Sequence, residues 1–273
     1  MARRHYTPEQ IIRASQKDLD TINGRPLAEW TFCVIYIDGT GFQKHTVVTA
    51  IGLEADGIKH VLGVIEGASE NAEVVGDLLA NLHDRGLKTT GHTLFVLDGS
   101  KALKKAVVAA FGKRALIQRC ILHKERNILS YLPESRQREA RRRLRAAWGM
   151  SSYQDAKVEL GKVKRWLKSI SESAAASLAE ALDDTLTVHR LGITGALRKT
   201  LIMTNPIELT YSITKRHSAC VRRWRGASMV LRWVGAGLVR AEAQYHRVAG
   251  YAQMPLLIAA LENESLTASE KLA

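Results

Sequence analysis

The chain has 273 residues, 46% of them hydrophobic, which excludes wholesale disorder and is enough for a sizeable core. No apolar stretch is long enough to cross a bilayer, and the first residues lack a signal peptide's apolar segment. We therefore expect a cytoplasmic protein without a membrane partner. Three widely separated cysteines give no disulfide framework. Forty lysines and arginines against 27 aspartates and glutamates leave a net charge of +13, which favours a polyanionic partner.

The first 133 residues carry the signals of alternating strands and helices. Thr7 and Pro8 are typical of a helix start, with Thr7 as the N-cap. The run 32–38 predicts a first strand, and 47–53 and 59–66 predict a hairpin because a turn signal separates them. A helix at 69–86, a strand at 94–97, a helix at 102–111 and a strand at 115–118 follow. This order predicts a mixed α/β sheet, with antiparallel early strands and helical crossovers between the later ones.

The sequence changes character after Pro133. Residues 134–203 contain many helix formers and few strand signals, which predicts an all-helical insertion. Its three helices are expected to end near Gly149, Ser169 and Asp184. Arginines crowd the first of these helices, and the candidate phosphate contacts are Arg136, Arg138, Arg141, Arg142 and Arg145. The alternative is a solvated helix face, and we favour phosphate contacts because the whole chain is basic.

Two aspartates stand where apolar runs end, and each is followed by glycine. Asp38 follows the run 32–37, and Asp98 follows the run 94–97. Aspartate before glycine is ordinary turn chemistry, and for either residue alone that is the simpler interpretation. Two neighbouring strands would, however, hold both carboxylates near one point, and hard oxygen ligands suit Mg²⁺ or Mn²⁺. The pair is therefore a candidate metal site.

A third carboxylate stands at a predicted helix start. Asn205 is expected as the N-cap, Pro206 as the first helical residue and Glu208 as the third. Glu208 would then either close a capping box or lie beside Asp38 and Asp98 to complete a three-carboxylate site. Such a site can hold two divalent metals for phosphodiester displacement. Rival carboxylates, which we expect to face solvent, are Glu180, Asp183 and Asp184.

A second basic segment surrounds a tryptophan. Arg222, Arg223 and Arg225 flank Trp224. This pattern is typical of a surface that stacks on bases and contacts phosphates. The competing interpretation is a tryptophan packed in the core beside exposed arginines. We take Arg223, Trp224 and Arg225 as candidate nucleic-acid contacts.

Several segments follow one another in a specific order and spacing. They are Ile37-Asp38-Gly39, Val61-Leu62-Gly63-Val64 with Ser69-Glu70-Asn71, Leu97-Asp98-Gly99 with Lys101-Ala102-Leu103, Gln118-Arg119-Cys120-Ile121-Leu122-His123-Lys124 with Arg126-Asn127, Thr204-Asn205-Pro206-Ile207-Glu208, and Arg223-Trp224-Arg225-Gly226. Together they resemble the Mutator-type insertion-sequence transposases, a family of the DDE group with an RNase H-like core. The resemblance runs from about residue 25 to about residue 262, which is most of the chain.

The resemblance implies a fold, a reaction and a set of site residues. The fold is an RNase H-like mixed sheet with an all-helical insertion before the catalytic glutamate. Asp38, Asp98 and Glu208 would be the catalytic, metal-binding triad. The reaction would be Mg²⁺- or Mn²⁺-dependent cleavage at the element's ends, followed by attack of the freed 3′-hydroxyl on target DNA. DNA would be the partner of a homo-oligomer, and the protein would be associated with the nucleoid.

Cys120 and His123 match the Cys-x-x-His signature of that family. Zinc is the tempting interpretation, but structural zinc usually takes four ligands, and no second Cys/His pair stands at suitable spacing. We expect instead a packed cysteine and a histidine that faces the DNA or the active site.

The predicted organisation has four parts. Residues 1–25 form a short lead in place of the longer DNA-binding region of the resembled family, as expected of a truncated copy. The core occupies 26–133, the insertion is 134–203, and 204–273 carries the catalytic helix and completes the core. Two alternatives stay open. One is a non-catalytic DNA-binding remnant that occupies element ends, and the other is an RNase H-like nuclease with a different substrate.

Overall fold

The computed structural model describes residues 7–42, 44–67 and 71–270. Helix α1 (Pro8–Gly24) begins as predicted, with Thr7 as its N-cap. The Thr7 hydroxyl accepts from the main-chain N–H of Gln10, and the Gln10 side chain accepts from that of Thr7. This capping box gives partners to two N–H groups that have none within the helix.

Within these ranges, five strands form one mixed sheet in the order β3-β2-β1-β4-β5. They are β1 (Thr31–Phe42), β2 (His45–Glu54), β3 (Lys59–Glu66), β4 (Lys88–Leu97) and β5 (Ala115–Arg119). Strand β2 pairs antiparallel with both β1 and β3, whereas β1, β4 and β5 run parallel to one another. The predicted mixed α/β architecture is confirmed, with antiparallel early strands and parallel later ones.

Strand β1 is longer than its sequence predicts. Its antiparallel pairing with β2 continues past Asp38 as far as Phe42, which lies opposite His45. The predicted end at residue 38 is therefore wrong. The reason is tertiary, because β2 extends far enough to give the main chain of these residues a hydrogen-bonding partner.

Eleven helices follow α1 in the described ranges. They are α2 (Ala72–Asp84), α3 (Lys101–Phe111), α4 (Ile121–Leu129), α5 (Glu134–Gly149), α6 (Tyr153–Lys168), α7 (Glu172–Ala181), α8 (Thr187–Arg190), α9 (Gly195–Leu201), α10 (Asn205–His217), α11 (Ala227–Glu242) and α12 (Met254–Glu270). Ser69 and Glu70 of the predicted second helix lie outside the described residues. None of the described helices has the length and apolar character needed to span a bilayer.

The sheet is covered by apolar side chains on both faces. Ile35 and Ile37 of β1 pack in a cluster with α2 and α3. Val34 and Tyr36 belong to a second cluster, which includes residues of α4, α10 and α11. Because both faces of this strand are buried, its sequence is a continuous apolar run and not an alternation of apolar and polar residues. Because side chains alternate along a strand, Asp38 points to the same face as Tyr36.

Helices α5 to α9 occupy the stretch that was predicted to be a helical insertion. The third predicted helix ends at Ala181 rather than near Asp184, because a short 3-10 turn replaces its last residues. Trp148 of α5 is fully buried and donates from Nε1 to the hydroxyl of Thr185 at 3.2 Å. Helix α7 packs directly against α4. The boundaries of the insertion as a domain stay a prediction.

Candidate active site

Asp38 and Asp98 occupy equivalent positions on adjacent parallel strands. The register of β1 and β4 ends with Ile37 opposite Leu97, and each aspartate comes one residue after that pair. Val96 belongs to the cluster on the second face of the sheet, so alternation directs Asp98 to the side that Asp38 faces. The register therefore brings the two carboxylates side by side.

Asp38 is a buried carboxylate, with only 4% of its surface exposed. Its Oδ1 accepts from the N–H of Gly39 at 2.9 Å, and its main-chain carbonyl accepts from the hydroxyl of Tyr211 at 2.7 Å. Burial and the charge of Asp98 raise the pKa of Asp38 to about 7, against the opposite effect of His123. The ionised form of Asp38 is therefore stabilised by any cation that lies beside it.

Asp98 lies at the turn from β4 into α3. Its Oδ1 accepts from the N–H of Ser100 at 2.7 Å. Ser100 is in turn the N-cap of α3, since its side chain accepts from the N–H of Leu103. The end of a strand and the start of a helix thus fix this carboxylate from both sides.

Glu208 reaches the site from helix α10. Thr204 rather than Asn205 is the N-cap, because its carbonyl accepts the first helical bonds, including that from the N–H of Glu208 at 3.0 Å. The predicted cap is wrong by one residue, although Pro206 still lies in the first turn. The Glu208 carboxylate does not close a capping box. It accepts from the hydroxyl of Thr204 at 3.2 Å and lies 3.9 Å from Nε2 of His123.

The signature cysteine and histidine adjoin α10 through Thr204. The buried Thr204 hydroxyl lies 3.3 Å from Sγ of Cys120 and 3.4 Å from Nδ1 of His123. Hydrogen bonding with Cys120, together with the charges of Asp38 and Asp98, raises the pKa of His123 to about 9. Burial alone would raise the pKa of Cys120, but hydrogen bonds with His123 and Thr204 outweigh it and lower that pKa. His123 is therefore positively charged at neutral pH, beside the carboxylates.

Tyr211 ties Asp38 to the helix that carries Glu208. Tyr211→Phe keeps the buried ring but deprives the Asp38 carbonyl of this donor, so we expect the free energy of unfolding to fall by about 1–2 kcal/mol. Tyr251→Phe is the matched control, because the side chain of Tyr251 is exposed and its hydroxyl makes no hydrogen bond within the described residues. Urea unfolding curves measure both variants, and equal midpoints would contradict the proposed tie.

Asp38 and Glu208 line an open cleft of about 410 Å³, whereas Asp98 is not one of its lining residues. Its lining residues are Asp38, Gly39, Thr40, His123, Arg126, Glu208, Tyr211, Ser212 and Lys215. Arg126 and Lys215 are exposed, and Nζ of Lys215 donates to the hydroxyl of Thr40 at 2.8 Å. Arg126 belongs to a segment that carries the family resemblance, but no role was predicted for it or for Lys215, because nothing local distinguishes either residue from other surface cations. Within the described residues, no group of three or more His, Cys, Asp and Glu side chains is arranged to hold a metal ion.

The arginine cluster of α5 includes residues that are engaged in ion pairs. Arg141 and Arg145 both bind the buried carboxylate of Glu125, at 3.2 and 2.7 Å, and so tie α5 to α4. The other predicted contacts, all exposed, are Arg136, Arg138 and Arg142. Phosphate binding by this cluster stays a prediction. Two of its members have a structural partner far away in the sequence.

Trp224 packs against the protein on one side. Its ring meets that of Phe42 edge-on, with centroids 6.3 Å apart, and it contacts the larger core cluster while staying partly exposed. Arg222, Arg223 and Arg225 around it are all exposed or nearly so. This geometry is close to the competing interpretation of a packed tryptophan beside exposed arginines. Base stacking on Trp224 stays a prediction.

Glu180 does not simply face solvent as predicted. Its carboxylate accepts from Arg119 at 2.7 Å and from Lys124 at 3.0 Å, and the side chains of both cations are buried. Although burial acts in the opposite direction, these hydrogen bonds lower the pKa of Glu180 to about 2. Asp184 is paired with a lysine of α3 at 2.5 Å, and Asp183 is paired with Lys157 at 2.8 Å although its side chain remains 73% exposed. The packing of α7 against α4 creates the Glu180 pairs.

Known proteins with similar sequences are transposases of insertion elements. A family model described as "Transposase, Mutator family" matches residues 7–248. The transposase for insertion sequence element IS6120 of Mycolicibacterium smegmatis is 24% identical over 238 residues, which cover 84% of this chain and 72% of that protein. The transposase for IS1201 of Lactobacillus helveticus is 33% identical over 134 residues, covering 45% and 35%. The transposase for ISRM5 of Rhizobium meliloti is 29% identical over 218 residues, covering 78% and 52%.

The chain spans between 35% and 72% of the length of these three relatives. The solved structure of the Drosophila P element transposase strand transfer complex matches with a TM-score of 0.31 and 9% identity, over 91% of this chain and 77% of that one. A similarity of this size does not establish a shared fold. The family match, in contrast, covers nearly the whole sequence. The chain therefore belongs to the Mutator family of transposases.

Proposed function

We propose that this chain catalyses metal-dependent cleavage of DNA and transfer of the freed strand, with Asp38, Asp98 and Glu208 as its catalytic carboxylates. The observation that supports this most is their placement. Two aspartates follow the last paired residues of adjacent parallel strands, and a helix brings a glutamate into the cleft that one of them lines. An RNase H-like core of the DDE type is part of the same proposal, and the mixed sheet with its central parallel strands supports it.

The carboxylates fit Mg²⁺ or Mn²⁺ by their chemistry. Asp38 is buried beside Asp98, an arrangement that is unfavourable for two negative charges unless a cation compensates them. A magnesium ion needs only one or two protein carboxylates when waters and substrate phosphates supply its other ligands. The described side chains are not arranged as a three-residue metal site by themselves, so Asp38, Asp98 and Glu208 would hold the metal together with waters and substrate phosphates. Bound divalent metal supplies an activated water or 3′-hydroxyl and stabilises the leaving oxygen.

The side chains around the carboxylates bind the DNA and hold the carboxylates in position. Arg126 and Lys215 are exposed on the cleft and can bind phosphate oxygens on either side of the reacting bond. His123 lies close enough to Glu208 to hold its carboxylate in place by charge. No side chain has to form a covalent bond, because the nucleophile is a water or a 3′-hydroxyl.

DNA is the proposed partner, and the net charge of +13 supports it. Because Arg126 and Lys215 would bind DNA whether or not metal is held, binding without cleavage is a second candidate function. A homo-oligomer assembled on DNA stays a prediction.

Cleavage of the element's own end DNA tests the proposal. We expect the wild type to nick this DNA in Mg²⁺ and Asp98→Asn to lose about a thousand-fold in rate, because a metal ligand is removed. Asp77→Asn, an exposed aspartate of α2, is the matched control and is expected to cleave normally. Equal rates in the wild type and Asp98→Asn would refute the site. Salt-sensitive binding with no cleavage in Mg²⁺ or Mn²⁺ would establish the non-catalytic alternative.

A further inference from the structure

A second cleft, of about 510 Å³, adjoins the carboxylate cleft. The two share helix α4 as a wall. His123 and Arg126 line the first cleft, whereas Lys124 and Asn127 line the second. Residues three apart lie on one face of a helix, so these two pairs form neighbouring stripes. Gly99, one residue after Asp98, also lines the second cleft. A strand held at the carboxylates could therefore continue into it.

The second cleft carries a net positive charge. Lys101, Arg119 and Lys124 line it together with a single carboxylate, that of Glu180. Glu180 already pairs with Arg119 and Lys124. Lys101 is exposed and forms no ion pair within the described residues, so its charge is available to an anionic ligand.

Asn127 brings a polar amide to the junction of the two clefts. A Cβ atom at Gly99 would lie only 2.9 Å from Nδ2 of Asn127, so glycine is what lets this amide approach the main chain beside Asp98. The guanidinium of Arg119 donates to the carbonyl of Gly99 from the same side. The main chain after Asp98 is thus held in place, and the exposed amide of Asn127 stands next to it.

Tyr131 adds an aromatic surface to the same cleft. The residue is 53% exposed. Within the described residues, its ring contacts no other ring or cation, and its hydroxyl makes no hydrogen bond. Grooves that bind single-stranded nucleic acid combine cations with aromatic rings on which bases stack. A base can offer its face to Tyr131 only when it is unstacked from a neighbour, which the interior of a duplex does not allow.

We propose that the second cleft binds an unpaired DNA strand that leaves the catalytic carboxylates, with phosphates on Lys101 and Asn127 and a base stacked on Tyr131. The inference rests on the proposed function, since it places the strand next to the bond that is cleaved. The cleft, of about 510 Å³, is large enough for a short single-stranded segment. Tyr131 and Lys101 are DNA-binding residues in this account, not catalytic ones.

Binding of two matched DNA probes to the full chain tests the proposal. One probe is a blunt duplex of the element's end, and the other is the same duplex with a short single-stranded extension. Fluorescence anisotropy in EDTA measures binding with no cleavage. We expect the extension to tighten binding to the wild type by about ten-fold. Tyr131→Ala is expected to lose this gain and Tyr131→Phe to keep it, because phenylalanine still stacks.

A charge variant gives an independent readout. The slope of log affinity against log salt concentration reports how many phosphates the protein contacts. For the extended probe, Lys101→Ala is expected to reduce this slope by the equivalent of about one phosphate contact. Lys164→Ala removes an exposed lysine of α6 that lines neither cleft, and it is expected to leave this salt dependence unchanged. The inference is overturned if the extension adds no affinity in the wild type, or if Tyr131→Ala retains the gain with an unchanged melting temperature. The binding assay needs no cleavage, so its outcome does not depend on the nicking assay. A failure of the proposed function and a failure of this inference can therefore be told apart.

Discussion

Asp38→Asn is expected to abolish Mg²⁺-dependent cleavage and, at the same time, to stabilise the metal-free protein against unfolding. Asp38 holds its charge in a buried position beside a second carboxylate, Asp98. Asparagine has nearly the same shape, and its amide oxygen can still accept from the N–H of Gly39. The substitution therefore removes an unfavourable charge without removing this hydrogen bond.

The gain in stability is expected to depend on pH. Folding raises the pKa of Asp38 from its ordinary value of 3.8 to about 7, so the native state keeps a proton that the unfolded state loses between these values. The wild type therefore loses stability as pH rises through this range and does not recover it above. Above pH 7 the variant is expected to be more stable by about 2–4 kcal/mol, because one pKa unit corresponds to about 1.4 kcal/mol. Below the ordinary pKa of 3.8 the difference is expected to vanish.

Urea unfolding in EDTA across this pH range measures the effect. Asp77→Asn is again the control, and its exposed charge should leave stability nearly unchanged at every pH. An Asp38→Asn protein that is less stable than the wild type in alkaline buffer would show that the carboxylate is not destabilising. Retained cleavage in this variant would remove Asp38 from the site.

Glu180→Gln is expected to lower the free energy of unfolding at neutral pH by about 1–3 kcal/mol. The change leaves Arg119 and Lys124, whose side chains are 5% and 3% exposed, without the carboxylate that faces them. Loss of one partner from a fully buried pair destabilises by about 3–5 kcal/mol. The 37% exposure of the Glu180 side chain makes the effect smaller here, because solvent screens the pair.

The effect of Glu180 is also expected to depend on pH, in the opposite sense to that of Asp38. The pKa of Glu180 falls from 4.5 to about 2 on folding, so its contribution is complete above 4.5 and is lost as pH falls towards 2. Wild type and variant are therefore expected to converge in acid. Glu172→Gln, on the same helix with 83% side-chain exposure, is the control. A gap between wild type and Glu180→Gln that stays constant down to the acid range would contradict this account.

Local patterns predicted the elements of the fold but not all of their limits. The apolar runs and the Thr7 cap are properties of neighbouring residues, and the predicted strands and first helix all formed, although β4 begins at Lys88 rather than at Leu94. The end of β1 depends on how far β2 runs beside it, which no local pattern contains. The N-cap of α10 moved by one residue, to Thr204, because the first helical hydrogen bonds decide it.

Ion pairs between residues far apart in the chain could not be predicted from the sequence. Glu180 and Arg119 lie 61 positions apart, and Arg145 and Glu125 lie 20 apart. Each looked like an ordinary surface charge in its own segment. These ion pairs form because α4 packs against α5 and α7. Two arginines of the α5 cluster and the carboxylate of Glu180 therefore have partners inside the protein.

The sequence by itself determined the mixed sheet, the helical stretch after it and the choice of Asp38, Asp98 and Glu208 as candidates, because periodicity, capping and motif spacing are local. Only the tertiary structure decided that the two aspartates are neighbours, since that requires Ile37 to pair with Leu97. It also decided that Tyr211, Arg126 and Lys215 surround Asp38 and Glu208. These contacts join residues from separate strands and helices, and such proximity exists only once the chain has packed.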